Sequence, residues 1–371
     1  MSASPVSVRR FGTQALCVHD WIEVRSREEI LATLDERGQL DGLPFMPEMF
    51  AYCGKRYEVF RVAHKTCDTV TKTGGRRLED TVHLGELRCD GTSHGGCEAA
   101  CLIFWKERWL RRVEGPNSPG DDSRPPFQSS AEDEPLKCSE EDLRAAVFAP
   151  GAADDSEPTY SCQATLLPEY TTHLKWWDVR QYGRDWRSGN ASGREILAGA
   201  IYVAVFNVIR RANRPWITLG PSLMRIYDSF QRVVGGVRYP RRWGSIAPGQ
   251  RTPSPPSLNL RPGDLVRVKS YDEILATLDG NNRNRGMYFD AEEVPYCGGT
   301  YRVRSLVTKI IDERSGKMLH LQGNPVILED VWCKGHYSDR RMFCPRAIYS
   351  FWRQAWLERV DDPPRAESAH S

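Results

Sequence analysis

Hydrophobic and polar residues alternate through Asp264-Leu-Val-Arg-Val268, the period of a short strand, and from Tyr271 to Leu278 the apolar positions recur at helical spacing for two turns. Tyr301 to Asp312 is dense in β-branched and aromatic residues, breaks at Glu-Arg-Ser-Gly and restarts at Lys317-Met-Leu-His-Leu, which predicts a hairpin. Val326 to Trp332 reads as a further strand. Steps of four through Cys344, Ile348, Trp352, Trp356 and Val360 predict a closing helix over 345–360 that packs its tryptophans inward. The same steps through Cys97, Cys101, Trp105, Trp109 and Val113 predict one over 97–113. Between these regions, Gly193 to Arg211 has the pattern of an amphipathic helix, and Pro221 to Val234 of a shorter one ending at Gly235-Gly236.

The two closing patterns agree because the chain is internally duplicated. Ile30-Leu-Ala-Thr-Leu-Asp35 recurs as Ile274 to Asp279, and at one constant offset Glu48 matches Glu292, Tyr52-Cys53-Gly54 matches Tyr296-Cys297-Gly298, Lys65 matches Lys309 and Cys89 matches Cys333. After an insertion of three residues in the second copy, Cys97 matches Cys344, Phe104-Trp105 matches Phe351-Trp352, and Trp109-Leu110 matches Trp356-Leu357. Self-similarity on this scale marks two copies of one structural unit.

Five or so short strands, opening in the second copy with Pro-Gly-Asp-Leu-Val-Arg-Val268, resemble the small β-barrels called SH3-like. The resemblance implies a fold and no catalytic residue, since such barrels host unrelated roles. The expected architecture is α+β: two homologous SH3-like small β-barrels, each closed by a C-terminal helix, flanking a small helical domain. Repeat A spans 17–113, an acidic linker 114–160, a basic helical domain with a Pro-rich tail 161–261, and repeat B 262–360.

Composition adds a class. With 371 residues, 40% hydrophobic and 27% charged, the chain reads as soluble and globular. No apolar run reaches the roughly 18 residues of a membrane span, and the first residues lack the apolar stretch of a secretory signal, so a cytoplasmic protein away from membranes is expected. Charge is uneven: 114–160 carries three basic and twelve acidic side chains, a net −9, and 161–261 carries fifteen basic and five acidic, a net +10. The first composition predicts disorder. In the second, arginines interleave with Trp176, Trp177, Tyr182 and Trp186, a pattern shared by Arg-decorated helices and by single-stranded nucleic-acid surfaces.

Eleven cysteines, an odd number with no secretory signal, argue against a disulfide framework. Five fall within 53–101, and Cys89-Asp-Gly-Thr-Ser-His94-Gly-Gly-Cys97-Glu-Ala-Ala-Cys101 places a histidine among thiols. Repeat B replaces Cys67 by Ile311 and Cys101 by Ile348, and joint loss to the same apolar residue predicts that the two cysteines meet in space. The expected site is therefore a zinc centre of Cys67, Cys89, Cys97 and Cys101, with His94 as a substitute ligand. Thiolate-rich sites also suit iron. Cys333, His336 and Cys344 make a weaker second set. No Walker loop, dinucleotide fingerprint, nucleophile elbow, His-Glu-x-x-His or Cys-x-x-Cys is present. Three functions remain open: a non-catalytic, metal-stabilised module acting through a protein partner, a metalloenzyme or redox protein using the repeat A cluster, and nucleic-acid binding by the basic segment.

Overall fold

Alternation along Trp-Ile-Glu-Val becomes strand β1 (Trp21–Val24), with Ile22 and Val24 turned into the core. The computed structural model describes residues 15–116, 137–150, 157–212, 219–254, 257–338 and 340–361. Repeat A continues with the short helix α1 (Arg27–Leu31), the two-residue ladder of β2 (Gln39–Leu40) and β3 (Leu43–Pro44), and a 3-10 turn over Pro47–Tyr52. Then come β4 (Arg56–Val62), β5 (Lys65–Cys67), β6 (Gly75–Arg77), β7 (Thr81–Leu84), β8 (Trp105–Lys106) and β9 (Leu110–Arg112). The main sheet runs β8-β7-β4-β1-β9, antiparallel at each pairing.

The middle of the chain supplies α2 (Glu140–Ala145), β10 (Thr172–Leu174), α3 (Arg180–Ser188), α4 (Gly193–Ala212) and α5 (Gly220–Val234). Repeat B then returns the first series: β11 (Leu265–Val268), α6 (Tyr271–Leu275), β12 (Arg283–Asn284), β13 (Met287–Tyr288), a 3-10 turn (Ala291–Tyr296), β14 (Thr300–Leu306), β15 (Lys309–Ile311), β16 (Met318–His320), β17 (Val326–Leu328) and β18 (Leu357–Arg359). Its sheet runs β17-β14-β11-β18.

Local devices recur with the sequence. Ser26 and Glu29 form a capping box on α1, as Ser270 and Glu273 do on α6. Trp109 Nε1 donates to Thr33 Oγ1 at 3.0 Å, and Trp356 Nε1 to Thr277 Oγ1 at 3.0 Å. Phe45 meets Trp109 edge-on at 5.3 Å and Phe289 meets Trp356 at 5.2 Å, so each core is built on the same aromatic pair.

Three expectations need correction. The fold is mixed α+β with several small antiparallel sheets, but no barrel closes among the described residues. The closing helices over 97–113 and 345–360 do not form. Their places are taken by extended chain, a 3-10 turn (Glu107–Trp109 or Gln354–Trp356) and a final strand. Ala100 and Ala347 hold the left-handed conformation, φ 49° and 42°, which stops a helix. Tryptophans four apart are buried from either end of the 3-10 turn, which mimics helical spacing. Third, the linker expected to be disordered falls partly outside the described residues, at 117–136 and 151–156, whereas between them α2 folds on a Ser139–Asp142 capping box and sets Leu143 and Cys138 into the core of repeat A.

Residues 161–174 are likewise not part of a separate helical domain. The Gln163 side chain bonds the Phe104 amide and carbonyl, Leu167 enters the core of repeat A, and β10 pairs with β6. Among the described residues no helix is long and apolar enough to cross a membrane.

The repeats contact each other through equivalent positions. Lys65 Nζ donates to Met342 O at 2.7 Å, and its counterpart Lys309 Nζ donates to Gly95 O, the counterpart of Met342, at 2.8 Å. The Cys67 amide meets Cys344 Sγ at 3.1 Å, and the Ile311 amide meets Cys97 Sγ at 3.3 Å. Thr69 bonds Glu313, its own equivalent, and the Arg88 guanidinium lies 5.9 Å from the Trp332 ring, also its own equivalent. Positions that face themselves mark a two-fold relation, here inside one chain.

Candidate metal centre

Glu48 enters at the start of the 3-10 turn that Pro47 opens. Cys89 follows the bridge between Arg88 and Leu102. From there the chain reverses at Gly91, φ 71°, where an added Cβ would lie 2.0 Å from the Cys97 carbonyl, so no other residue fits the turn. His94 and Gly96 amides both donate to the Gly91 carbonyl, and this curled loop drives the His94 ring inward.

Glu48, Cys89 and His94 converge with one donor atom each, all within 4.8 Å of one another. Cys89 Sγ lies 3.1 Å from Glu48 Oε1, and His94 Nδ1 lies 3.1 Å from the same oxygen. The carboxylate side chain is 4% exposed and the imidazole 1%. Glu48 Oε2 and His94 Nδ1 nevertheless make no hydrogen bond, the second because its 3.1 Å approach is poorly aligned. Burial works against the Glu48 charge, but His94 and the Cys89 thiol outweigh it and hold the carboxyl below its usual range. Burial, and then the Glu48 charge, push the Cys89 thiol far up. A carboxylate central to a thiol and an imidazole, with two orphaned buried atoms, matches the donor set of a metal better than that of a nucleophile, which needs the imidazole in the middle and a depressed thiol.

The sequence-derived ligands divide. Cys89, His94, Cys97 and Cys101 line one small cavity of about 40 Å³, together with Cys162 and Ile311. Cys101 pairs with Cys89 across the local ladder, its amide carbonyl accepting from the Cys89 N–H, and burial pushes its thiol to about 12. Cys67 is elsewhere. It lines a second cavity of about 370 Å³ with Cys333 and Cys344. Thus the four-sulfur set Cys67, Cys89, Cys97 and Cys101 is not brought together. The two-fold relation is the reason: β5 of repeat A reaches into the cavity of repeat B, and β15 sends Ile311 the other way. Cys67 and Cys101 line different cavities.

In the second cavity Glu292, the counterpart of Glu48, accepts from the amides of His336 at 3.0 Å and Tyr337 at 2.5 Å and from the Ser338 hydroxyl at 3.3 Å. A carboxylate so satisfied has little left for a metal. Cys333, His336 and Cys344 do border a common pocket of about 250 Å³, but they form no cluster of converging donors among the described residues, and the His336 ring faces Glu195 at 3.9 Å.

Sequence reasoning missed Glu48. Its identity with Glu292 was visible, but nothing in the sequence tells a buried carboxylate from a solvated one. No family model, no curated protein and no solved structure matches the chain.

Proposed function

We propose that the chain is a non-catalytic binding module: two SH3-like repeats paired within one chain, the first stabilised by zinc on Glu48, Cys89 and His94, with the helical middle offered to a protein partner. The carrying observation is the buried carboxylate–thiol–imidazole cluster with its two orphaned atoms. Zinc is favoured because it accepts nitrogen, oxygen and sulfur together, and a structural site is tetrahedral and closed. Cys101, opposite Cys89 and on the same cavity wall, is the fourth ligand in this reading. The SH3-like reading of each repeat is supported by connectivity: the first strand lies between the second long strand and the last, and a 3-10 turn precedes the last.

The partner reading is supported by an apolar groove of about 380 Å³ on α3 and α4, walled by Trp176, Trp177, Val179, Tyr182, Val203 and Phe343, with Trp177 59% exposed. The segment's net +10 fits an apolar peptide flanked by acidic groups.

Metal analysis of the purified chain tests the centre. About one zinc per chain is expected, lost in Cys89→Ser and His94→Gln with a lower melting temperature, and retained in Cys67→Ser. Zinc-free protein, or zinc retained in both of the first two variants, overturns the reading. Oligonucleotide binding that collapses with salt and is lost on replacing Trp177 would replace the protein partner by nucleic acid.

A further inference from the structure

We propose that Cys67 and Cys344 are a redox-active dithiol that peroxide converts to a disulfide joining the two repeats. The two-fold relation makes the backbone-to-sulfur contact twice, Cys67 amide to Cys344 Sγ at 3.1 Å and Ile311 amide to Cys97 Sγ at 3.3 Å. At the second crossing the strand residue is isoleucine and no sulfur chemistry follows. At the first it is a cysteine, so the residue whose amide meets Cys344 Sγ carries a second sulfur. Two cysteines 277 positions apart in sequence are therefore held together, the Cys67 backbone on the Cys344 sulfur and both residues lining one cavity.

The surroundings set the two sulfurs apart. Cys344 first, and then the guanidinium groups of Arg346 and Arg341, outweigh burial and bring the Cys67 thiol down to about 6. The Cys344 thiol is pushed well up by Cys67 and by burial. Arg346 is itself fixed, donating to Thr69 at 2.7 Å and to Glu313 at 2.9 Å. The surroundings thus favour the thiolate at Cys67 over Cys344, the division of labour of attacking and resolving cysteines. Both border the cavity of about 370 Å³ whose rim includes Tyr288, 46% exposed, which gives a small oxidant access.

The reaction balances with hydrogen peroxide as oxidant. Cys67 sulfur attacks one peroxide oxygen, the S–O bond forms, the O–O bond breaks, and hydroxide leaves to take a proton as water. Cys344 sulfur then attacks the sulfenic sulfur, the S–S bond forms, and the S–O bond breaks. The departing hydroxide carries off the Cys344 proton as a second water. Two thiols are oxidised and one peroxide is reduced.

This inference uses neither Glu48, Cys89 nor His94 and stands apart from the zinc reading. The test treats the full chain with one equivalent of hydrogen peroxide, alkylates free thiols, and digests without reductant for mass spectrometry. The expected product is a peptide pair linked through Cys67 and Cys344. In Cys344→Ser, Cys67 is expected to stop at the sulfenic acid and to be trapped by dimedone. Recovery of both cysteines alkylated in the wild type, linkage of Cys67 to a different thiol, or zinc that depends on Cys67 and Cys344 in a Cys89→Ser background overturns the proposal.

Discussion

His83 shows what a single buried ring commits the molecule to. Its Nδ1 lies 2.8 Å from the Ile103 carbonyl, its ring packs on Phe104 at 4.5 Å, and burial lowers its pKa from 6.5 to about 3. A base whose folded pKa lies below its unfolded one binds its proton preferentially when unfolded. Stability is therefore full above pH 6.5 and falls as pH drops from 6.5 towards 3, by about 1.4 kcal/mol per unit for one proton. Denaturant melts of wild type and His83→Gln across that window check this: the variant is expected to show a shallower slope. At the candidate metal site, Cys89 must lose a proton held tightly by burial before it can bind an ion, so under the zinc reading proposed above affinity is expected to rise with pH, as a competition titration with a chelator at two pH values would read.

The recurrent elements make a paired prediction. Thr33→Val orphans the buried Trp109 N–H and Thr277→Val orphans that of Trp356, each expected to cost about 1–3 kcal/mol in chemical denaturation, with additive effects in the double variant because the two cores are distinct. Much of each element was legible: β1 and β11 keep the alternation of their sequences, and α4 and α5 form where expected, although α4 is not amphipathic and leaves Leu197, Ile201 and Val208 exposed. The closing helices were illegible as 3-10 turns because Trp105 and Trp109 satisfy a four-residue period in either conformation, and the left-handed Ala100 leaves no mark in composition. Cys89, His94, Cys97 and Cys101 could be grouped from spacing because one loop and one ladder hold them. The placement of Cys67 could not, since it depends on how the two repeats meet.

Across the whole molecule the repeats and the middle segment are tied at one ionic knot. Lys65 Nζ of β5 lies 2.6 Å from Asp185 Oδ2 of α3 and 2.7 Å from the Met342 carbonyl of repeat B, with Asp185 0% exposed. Removing the carboxylate strands a buried ammonium, so Asp185→Ala is expected to lose about 3–5 kcal/mol, measured by equilibrium unfolding, while Lys65→Met with Asp185→Leu restores much of it. The crossing of strands between cavities carries a consequence for how such a chain can change over time. A change at Cys67 in β5 is therefore felt in the cavity of repeat B as well as in its own half. Ile311 and Cys67 occupy equivalent positions yet line opposite cavities, so the same place in the fold gives the two halves different chemistry.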